Sequence, residues 1–486
     1  FRKLSIYQRN EKMMIRNSRR KPKLKPAKIH LKWILVVFLM IALISITLSV
    51  KMLLVPSFQV QEKELNAVSR HEENSLVEKY AEIYENSAEG SQYSMVFSTG
   101  CTPLQHWQSL LFFYYAHKVK QPGNVTRIAS GCSKSEASKV RRTHQEKVAK
   151  MSERFHLHIT PDYGFRDNKK YWNKPHGLLD WLENEMEFSH DGSRHDDVII
   201  IILDPDMILL KPITNEFTDF KEDRRWKGKK LSEKVVHGIP FAQAYGFGSS
   251  WLTSLKGKLS DVVGEKSPAL DVNLDEASKY FPAGPPYLAT GKDMYALVTH
   301  WVKFLPRVHS IFPEFMAEMH AYSIAAAHLQ LPHQLAKGFM ISDVGAAHKE
   351  DAFSFLDNTS RAEACGAKIP PSQLPFVHHY CQRYAIGRWF FSKYKLPEDF
   401  FDCRAQLLKE PPLNVAEIYD WYIFPNGIEM NDYSSPKKQH FLLKHAWMMC
   451  ETIFSLNEAA TELKKAHCGA GANYEKTFHF HEEAEF

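Results

Sequence analysis

An unbroken apolar run that ends in two acids, DDVIIIILDPDMILLKP at residues 196–212, most restricts how this chain can fold. From Val198 to Leu203 every residue is valine, isoleucine or leucine, which is typical of a central strand buried on both faces. Such a strand needs helices above and below it, so the run predicts an α/β fold with a mainly parallel sheet. Asp204 and Asp206 would then lie at the carboxyl end of the strand, where open α/β sheets bind ligands.

The sequence around this run alternates between strand-like and helix-like segments, as an α/β fold requires. We predict strands at residues 93–101, 125–131, 155–163 and 196–203, and helices at 106–119, 176–185 and 317–329. After residue 212 the alternation is less regular, and residues 349–375 are predicted to form a loop.

Asp204 and Asp206 have the chemistry of a divalent-cation site. Mg²⁺ and Mn²⁺ prefer oxygen ligands and often share them with a diphosphate, whose charge they offset. The alternative is a plain turn, because aspartate and the intervening Pro205 are both turn formers. The position directly after a central strand favours the metal site.

The net charge of +6 arises at one end of the chain. Residues 1–32 hold twelve Lys and Arg residues against one acid, Glu11, so the remainder carries a net negative charge. A mildly acidic remainder argues against nucleic acid as a partner.

Residues 33–55 are predicted to be a single transmembrane anchor. Trp33 to Val50 contains no charged residue and is long enough for a membrane-spanning helix. The basic segment before it and the acid-leaning segment after it follow the positive-inside rule. A cleaved signal peptide and a buried core helix are the alternatives. We therefore expect a single-pass type II membrane protein of the Golgi or endoplasmic reticulum, attached to the membrane by this helix, with its catalytic part in the lumen.

The predicted organisation follows from this anchor and has five parts. They are a cytosolic basic tail (1–32), the transmembrane anchor (33–55), a stem (56–90), a catalytic domain (91–410) and a mixed or helical C-terminal extension (411–486).

Two features agree with a luminal, oxidising compartment. Asn124-Val-Thr126 and Asn358-Thr-Ser360 are acceptor sequences for N-glycosylation. The chain also has seven cysteines without a CxxC pair, so some are expected to form disulfides and at least one to remain unpaired. Their pairing cannot be derived from the sequence.

Seven segments, in this order, resemble the peptidyl-serine α-galactosyltransferases of plants and green algae, which are relatives of the hydroxyproline O-arabinosyltransferases. They are FSTGCTPLQHWQS (97–109), NKPHGLLDWL (173–182), ILDPDMI (202–208), GPPYLATGKDMY (284–295), AEMHAYSIAAAHLQLPHQ (317–334), GFMISD (338–343) and HYCQRYAIGRWFFSKY (379–394). The resemblance implies a GT-A-like fold, that of nucleotide-diphospho-sugar transferases, with an Asp-x-Asp motif after a strand of the nucleotide-binding sheet.

The resemblance also implies residues for the donor, a UDP-sugar and in particular UDP-galactose. Thr99 and Thr102 would bind the nucleotide, although ordinary turn chemistry at a strand end is the alternative. Asn173 and Lys174 would contact phosphate or sugar, unless they are a helix cap and a solvated lysine. Arg383, with Lys393 near it, would neutralise phosphate, unless these are solvated surface charges.

The implied metal is Mn²⁺ or Mg²⁺, bound by Asp204 and Asp206. Asp204 would also contact the donor through this metal. His379 would complete the set of ligands, with its neighbour His378 as a competing candidate and a buried structural histidine as the alternative.

The implied catalytic residues are acidic. Glu318 would lie near the sugar, Asp343 is the second candidate and Asp293 the third. A carboxylate at a helix start is otherwise explained by the helix dipole.

The function expected from the resemblance is retaining transfer of galactose to serine in serine- and hydroxyproline-rich polypeptides. Retention without a clear nucleophile favours attack on the same face, with the departing phosphate as the base. Arabinose transfer to hydroxyproline is the nearest alternative. A non-catalytic luminal binding protein is a second, and a metal-dependent phosphatase or nuclease, which would need further acidic motifs, is a third.

Overall fold

The computed structural model describes residues 92–478, except 165–168, 216, 218–224, 228, 231, 233, 337, 343, 345–350, 424–428 and 431–435. The predicted tail, transmembrane anchor and stem lie outside the described residues. No helix in the part that is described is long and apolar enough to cross a membrane.

The strands of the described residues are numbered in chain order. They are β1 (Tyr93–Thr99), β2 (Asn124–Ser130), β3 (Phe155–Thr160), β4 (Ile199–Leu203), β5 (Met207–Leu209), β6 (Arg225–Trp226), β7 (Lys229–Lys230), β8 (Phe241–Ala244), β9 (Ala283–Thr290), β10 (Gln334–Ala336), β11 (Met340–Ile341), β12 (Val377–His379), β13 (Tyr384–Ile386), β14 (Trp389–Phe391), β15 (Leu407–Leu408), β16 (Tyr422–Ile423), β17 (Glu429–Met430) and β18 (Lys476–Thr477).

The α-helices are numbered in the same way. They are α1 (Pro103–Lys118), α2 (Lys134–Thr143), α3 (Asn173–Asn184), α4 (Ser250–Thr253), α5 (Leu259–Val263), α6 (Leu274–Tyr280), α7 (Gly291–Ile311), α8 (Ala317–His328), α9 (Val415–Ile418) and α10 (Pro436–His467). A five-residue π-helix, His144–Val148, continues α2.

A seven-stranded sheet in the order β10-β8-β9-β4-β1-β2-β3 forms the centre of the fold. Strand β9 is antiparallel to its neighbours β4 and β8, and all the other pairings in this sheet are parallel. The α/β class with a mainly parallel sheet is therefore confirmed. The strands and helices predicted up to residue 203 are present, with ends shifted by a few residues.

Strand β4 lies at the middle of this sheet, and all five of its residues are buried. Alternate side chains of a strand point to opposite faces. Accordingly, Ile201 and Leu203 pack in the cluster that includes α1, and Ile200 and Ile202 pack in the cluster that includes α7 and α8. The continuous apolar run is thus explained by two hydrophobic layers, one on each face.

A small second sheet, β11-β12-β5, lies against the first hydrophobic cluster. The long helix α10 contributes Leu442, Met448 and Leu456 to that same cluster. Helix α10 belongs to the predicted C-terminal extension (411–486), yet it packs with residues of the predicted catalytic domain (91–410). The boundary between the two at residue 410 stays a prediction.

Three disulfides connect distant parts of the chain: Cys101–Cys132, Cys365–Cys450 and Cys403–Cys468. Cys381 is the remaining cysteine and is unpaired, as the odd count requires. Both sequon asparagines, Asn124 and Asn358, are exposed. The predicted loop contains two 3₁₀ turns, Asp351–Leu356 and Arg361–Glu363, in its described part.

His333 gives the fold a defined dependence on pH. It is fully buried, with Nδ1 3.0 Å from the carbonyl oxygen of Leu331 and Nε2 2.9 Å from the hydroxyl of Tyr322. A neutral ring satisfies both contacts by donating from Nδ1 and accepting at Nε2. Burial lowers the pKa of His333 from 6.5 to about 3.

Because the unfolded chain binds this proton and the folded chain does not, the free energy of unfolding should fall as pH drops below about 6.5. The contribution of His333 is up to about 1.4 kcal/mol per pH unit and ends near its folded pKa. Urea unfolding from pH 7 to 4 should therefore show a shallower loss in His333→Gln than in the parent. The exposed His190→Gln is the control; an unchanged slope in His333→Gln would contradict the prediction.

Candidate active site

Asp204 and Asp206 follow β4 at the carboxyl edge of the sheet. Strands β1 and β4 are parallel. Strand β8 runs in the same direction as β4, because β4 and β8 are both antiparallel to β9. The carboxyl ends of these three strands therefore meet at one edge, together with the start of β9. The side chain of Asp206 is 9% exposed and that of Asp204 is 25% exposed, so both acids line a partly closed site.

His379 reaches this edge through the second sheet. Strand β5 begins directly after Asp206 and pairs antiparallel with β12, which places His379 opposite Met207. The amide of Tyr380 donates to the carbonyl oxygen of Asp206 at 3.1 Å and fixes this register. The ring nitrogen Nε2 of His379 consequently lies 3.2 Å from Oδ1 of Asp206.

Asp204, Asp206 and His379 can together hold a metal ion. One ligand atom from each lies within 4.8 Å of the other two. A cation such as Mg²⁺ sits about 2.1 Å from each oxygen ligand, so atoms this close can converge on one ion after small side-chain movements. Two carboxylates and one imidazole are a donor set that suits Mn²⁺. The three residues therefore fit the predicted metal.

His378, the competing histidine, lies on the other face of β12. Its Nε2 is 2.8 Å from the hydroxyl of Thr452 in α10. Neighbouring residues of a strand point in opposite directions, so only one of the two histidines can face the acids. His378 is a buried structural histidine, and His379 is the one at the site.

Two lysines pair with the two acids. Lys174, in the first turn of α3, has its Nζ 2.8 Å from Oδ1 of Asp204 and 3.5 Å from Oε1 of Glu318. Lys393 donates to Oδ2 of Asp206. Both lysines are largely buried, so neither is a solvated surface charge.

Burial and charge oppose each other at these residues. Burial alone would raise the pKa of Asp206, but His379 and Lys393 hold it well below its usual range. Burial alone would lower the pKa of Lys174, but Asp204 and Glu318 hold it above its usual range. Both groups are therefore charged at neutral pH.

Glu318 lies at the start of α8, where a helix dipole favours a negative charge. The indole of Trp301 donates to its backbone carbonyl at 2.8 Å and holds this turn in place. Its side chain is 9% exposed. Burial raises the pKa of Glu318, and the ammonium of Lys174 opposes that rise. The structure thus places the predicted acid beside Lys174, which also pairs with the candidate metal ligand Asp204.

Two tyrosines complete the site: Tyr287 lies in the segment 284–295 that resembles the transferases, whereas Tyr245 lies in none of the resembling segments. Tyr245 follows β8, and Tyr287, in the middle of β9, pairs with Ile202 near the end of β4. Burial, followed by the charges of nearby acids that include Asp204 and Glu318, raises the pKa of both hydroxyls. Gly284 makes room for Tyr245, because a Cβ on Gly284 would lie 2.0 Å from the tyrosine ring.

The predicted donor-binding residues make contacts within the protein. The hydroxyl of Thr99 donates to the carbonyl oxygen of Ile128, and that of Thr102 caps α1. The side chain of Asn173 accepts from the amide of Tyr163 at 2.7 Å. Contact of these residues with a nucleotide or a phosphate stays a prediction.

Three further predicted residues, Arg383 and the acids Asp343 and Asp293, are not seen in contact with this cluster in the part of the chain that the structure describes. Arg383 is exposed between β12 and β13, and Asp343 lies outside the described residues. Asp293 follows β9, whose end pairs with the start of β4 at Ile199, so it lies at the opposite edge of the sheet. There it binds His237 at 2.7 Å and accepts from the amide of Gly238. The third acid candidate is therefore not brought to the site.

The close contact of Gly284 with Tyr245 predicts a non-additive pair of substitutions. Gly284→Ala should lower the free energy of unfolding by about 1–3 kcal/mol, because the new methyl group overpacks the ring. In a Tyr245→Ala background the same substitution should cost much less, since the ring is gone. Urea unfolding of the two single variants and the double variant measures this; additive effects would contradict the contact.

No protein-family model matches the chain. Over 303 residues the chain is 25% identical to the peptidyl serine alpha-galactosyltransferase of Arabidopsis thaliana. This match covers 61% of the chain and 31% of the relative, so the chain corresponds to less than a third of that protein's length.

Two solved glycosyltransferase structures can be superposed on part of the chain. The galactosyltransferase LgtC, in complex with donor and acceptor sugar analogues, has a TM-score of 0.33 and 11% identity, covering 60% of this chain and 87% of its own. The apo structure of the bifunctional glycosyltransferase WbbM has a TM-score of 0.32 and 8% identity, covering 60% and 46%. The sequence match confirms the resemblance that the ordered motifs indicate: the chain is similar to a peptidyl-serine α-galactosyltransferase over 61% of its length.

Proposed function

We propose that this chain is a metal-dependent, retaining glycosyltransferase that moves galactose from UDP-α-galactose to serine hydroxyls of hydroxyproline-rich polypeptides. The observation that carries the proposal is the convergence of Asp204, Asp206 and His379 at the carboxyl edge of an α/β sheet. The similarity to the Arabidopsis protein, whose name specifies peptidyl serine and galactose, supports this donor sugar and acceptor.

Asp204, Asp206 and His379 would hold Mn²⁺ or Mg²⁺ on the side of the site where the diphosphate leaves. A divalent cation bound there stabilises the negative charge that develops on the departing diphosphate. The burial of Asp206 and His379 would limit the access of water to this region.

Lys174 and Lys393 would bind the same leaving group from the protein side. Both are largely buried, and nearby acids hold the pKa of each above its usual range, against the effect of burial. They therefore present fixed positive charges at neutral pH. Lys174 and Lys393 lie beside different acids, so they can reach the diphosphate from two sides.

Glu318 would act on the sugar. It shares Lys174 with Asp204, and would orient sugar hydroxyls or stabilise positive charge at the anomeric carbon. In same-face attack, the acceptor oxygen bonds to the anomeric carbon while the bond to the phosphate oxygen breaks. The proton of the acceptor hydroxyl passes to the departing phosphate, so a separate base is not needed. Asp343 remains a second candidate.

The chain's disulfides support its placement in an oxidising compartment. We propose that it is a type II membrane protein of the Golgi or endoplasmic reticulum, anchored by residues 33–55. The exposed sequon asparagines, Asn124 and Asn358, agree with a luminal location.

Asp204→Ala and Asp206→Ala should each reduce transfer at least about 100-fold, because each removes a ligand that stabilises the leaving group. Initial rates with UDP-galactose, Mn²⁺ and a serine-containing peptide measure this loss. Asp402→Ala removes a carboxylate whose side chain is 69% exposed and should leave the rate unchanged. A variant of either acid that keeps near-parental activity in EDTA would show that the metal proposal is wrong.

A donor and acceptor screen distinguishes the proposed reaction from its alternatives. The full chain should transfer galactose from UDP-galactose to serine peptides, and NMR of the product should show an α-linkage. Arabinose transfer to a hydroxyproline peptide would establish the sister activity instead. Binding of UDP with Mn²⁺ but no transfer from any donor would indicate a non-catalytic binding protein.

A further inference from the structure

Arg127, in the middle of β2, is a buried cation that the proposed reaction does not use. The residue is 4% exposed. Its Nε donates to the hydroxyl of Thr99 at 2.9 Å, Nη2 donates to the carbonyl oxygen of Gly100 at 3.2 Å, and Nη1 lies 3.5 Å from Nδ1 of His106. All three acceptors are neutral. Among the described residues no carboxylate pairs with this guanidinium, and burial alone lowers its pKa to about 9.

The hydrogen-bond donors of this cluster outnumber its acceptors. A guanidinium has five N–H groups, and the three contacts of Arg127 use three of them. Because Nδ1 of His106 accepts from Arg127, the hydrogen of its neutral ring is on Nε2, which is a further donor. Burial, with the charges of Arg127, Lys139 and Lys147, lowers the pKa of His106 to about 4, so this ring is neutral at pH 7.

Arg127 and His106 both line a small cavity. It is bounded by α1, β2, β3, α2 and the π-helix. Its polar lining residues are Arg127, His106, Ser109, Thr143 and His144, and five apolar residues form the rest of the wall. Its volume of about 10 Å³ leaves room for one small particle and for nothing larger. The π-helix His144–Val148 forms one wall, and such segments often occur at functional sites.

We propose that this cavity binds one halide-sized monovalent anion, chloride under physiological conditions, held by Arg127 with the Nε2–H of His106 and the hydroxyl of Thr143. A buried charge without a counter-charge is unfavourable, and an anion supplies both the charge and the missing acceptors. Water would supply acceptors alone. Carboxylates and phosphates exceed the size of the cavity.

The position of the cavity links the anion to the turn that ends β1. Arg127 holds Thr99 and Gly100, and the disulfide Cys101–Cys132 fixes the same turn. With its charge balanced, Arg127 would keep these contacts at a smaller energetic cost for its burial. The anion would thus stabilise the turn at the end of β1 through Arg127. This effect would not depend on a ligand at the carboxyl edge of the sheet.

The test is thermal unfolding of the full chain in sodium chloride and in sodium gluconate at equal ionic strength. The parent protein should melt about 2 °C or more higher in ~150 mM chloride, with a saturable dependence on its concentration. Arg127→Met should lose the difference between the two salts. The control Arg154→Met, which removes an exposed arginine, should keep it.

Thr143→Val covers the case in which Arg127→Met does not fold. This variant should melt normally in gluconate but need a several-fold higher chloride concentration for half of the stabilisation. Crystals of the full chain grown in sodium bromide should show an anomalous peak beside the guanidinium of Arg127. Equal melting temperatures of the parent in both salts, a salt difference that persists in Arg127→Met, or a cavity without a bromide peak would each overturn the proposal.

Discussion

The antiparallel pairing of β5 with β12 is the constraint on which the candidate site depends. Strand β4 brings Asp204 and Asp206 to the carboxyl edge, but two carboxylates alone leave most positions around a cation open. The chain continues directly from Asp206 into β5, so the register of β5 with β12 decides which residue faces the acids. A shift of one residue would present His378 instead, and would turn His379 toward α10.

The same site is a cluster of buried charges that is stable only as a whole. Asp204 pairs with Lys174, Asp206 pairs with Lys393 and His379, and Glu318 shares Lys174. Removing one member of a buried ion pair typically costs about 3–5 kcal/mol, because its partner keeps an uncompensated charge. Such a cluster is weak evidence for stability, and its position at the carboxyl edge agrees with the proposed binding of a charged ligand such as a diphosphate.

Local sequence patterns were sufficient to predict the parts of the fold that depend on neighbouring residues. The run from Val198 to Leu203 predicts the central strand, and Asp204 and Asp206 mark its carboxyl end as the candidate site. His379, Lys174 and Glu318 followed from the resemblance to known transferases rather than from any local pattern. The structure places these three beside the acids, because the carboxyl edge collects residues from β12, α3 and α8.

The remaining features depend on contacts that single-sequence patterns do not encode. Tyr245 and Tyr287 enter the site because of the path of β8 and β9, and Gly284 is required only by the ring that packs on it. Asp293 lies at the far edge of the sheet because β9 runs antiparallel to β4, a direction that the sequence around it does not indicate. The burial of Arg127 could not be predicted from the sequence either, because arginine residues usually lie at the surface.

The most direct measurement of the central claim is the magnetic coupling of bound Mn²⁺ to its ligands in the full chain with UDP. Pulsed electron paramagnetic resonance should show a ¹⁴N coupling from one imidazole and a ³¹P coupling from the diphosphate on the same ion. The ¹⁴N coupling should disappear in His379→Gln and persist in His378→Gln. A ¹⁴N signal that survives His379→Gln, or Mn²⁺ that shows no phosphorus coupling, would contradict a donor site built on Asp204, Asp206 and His379.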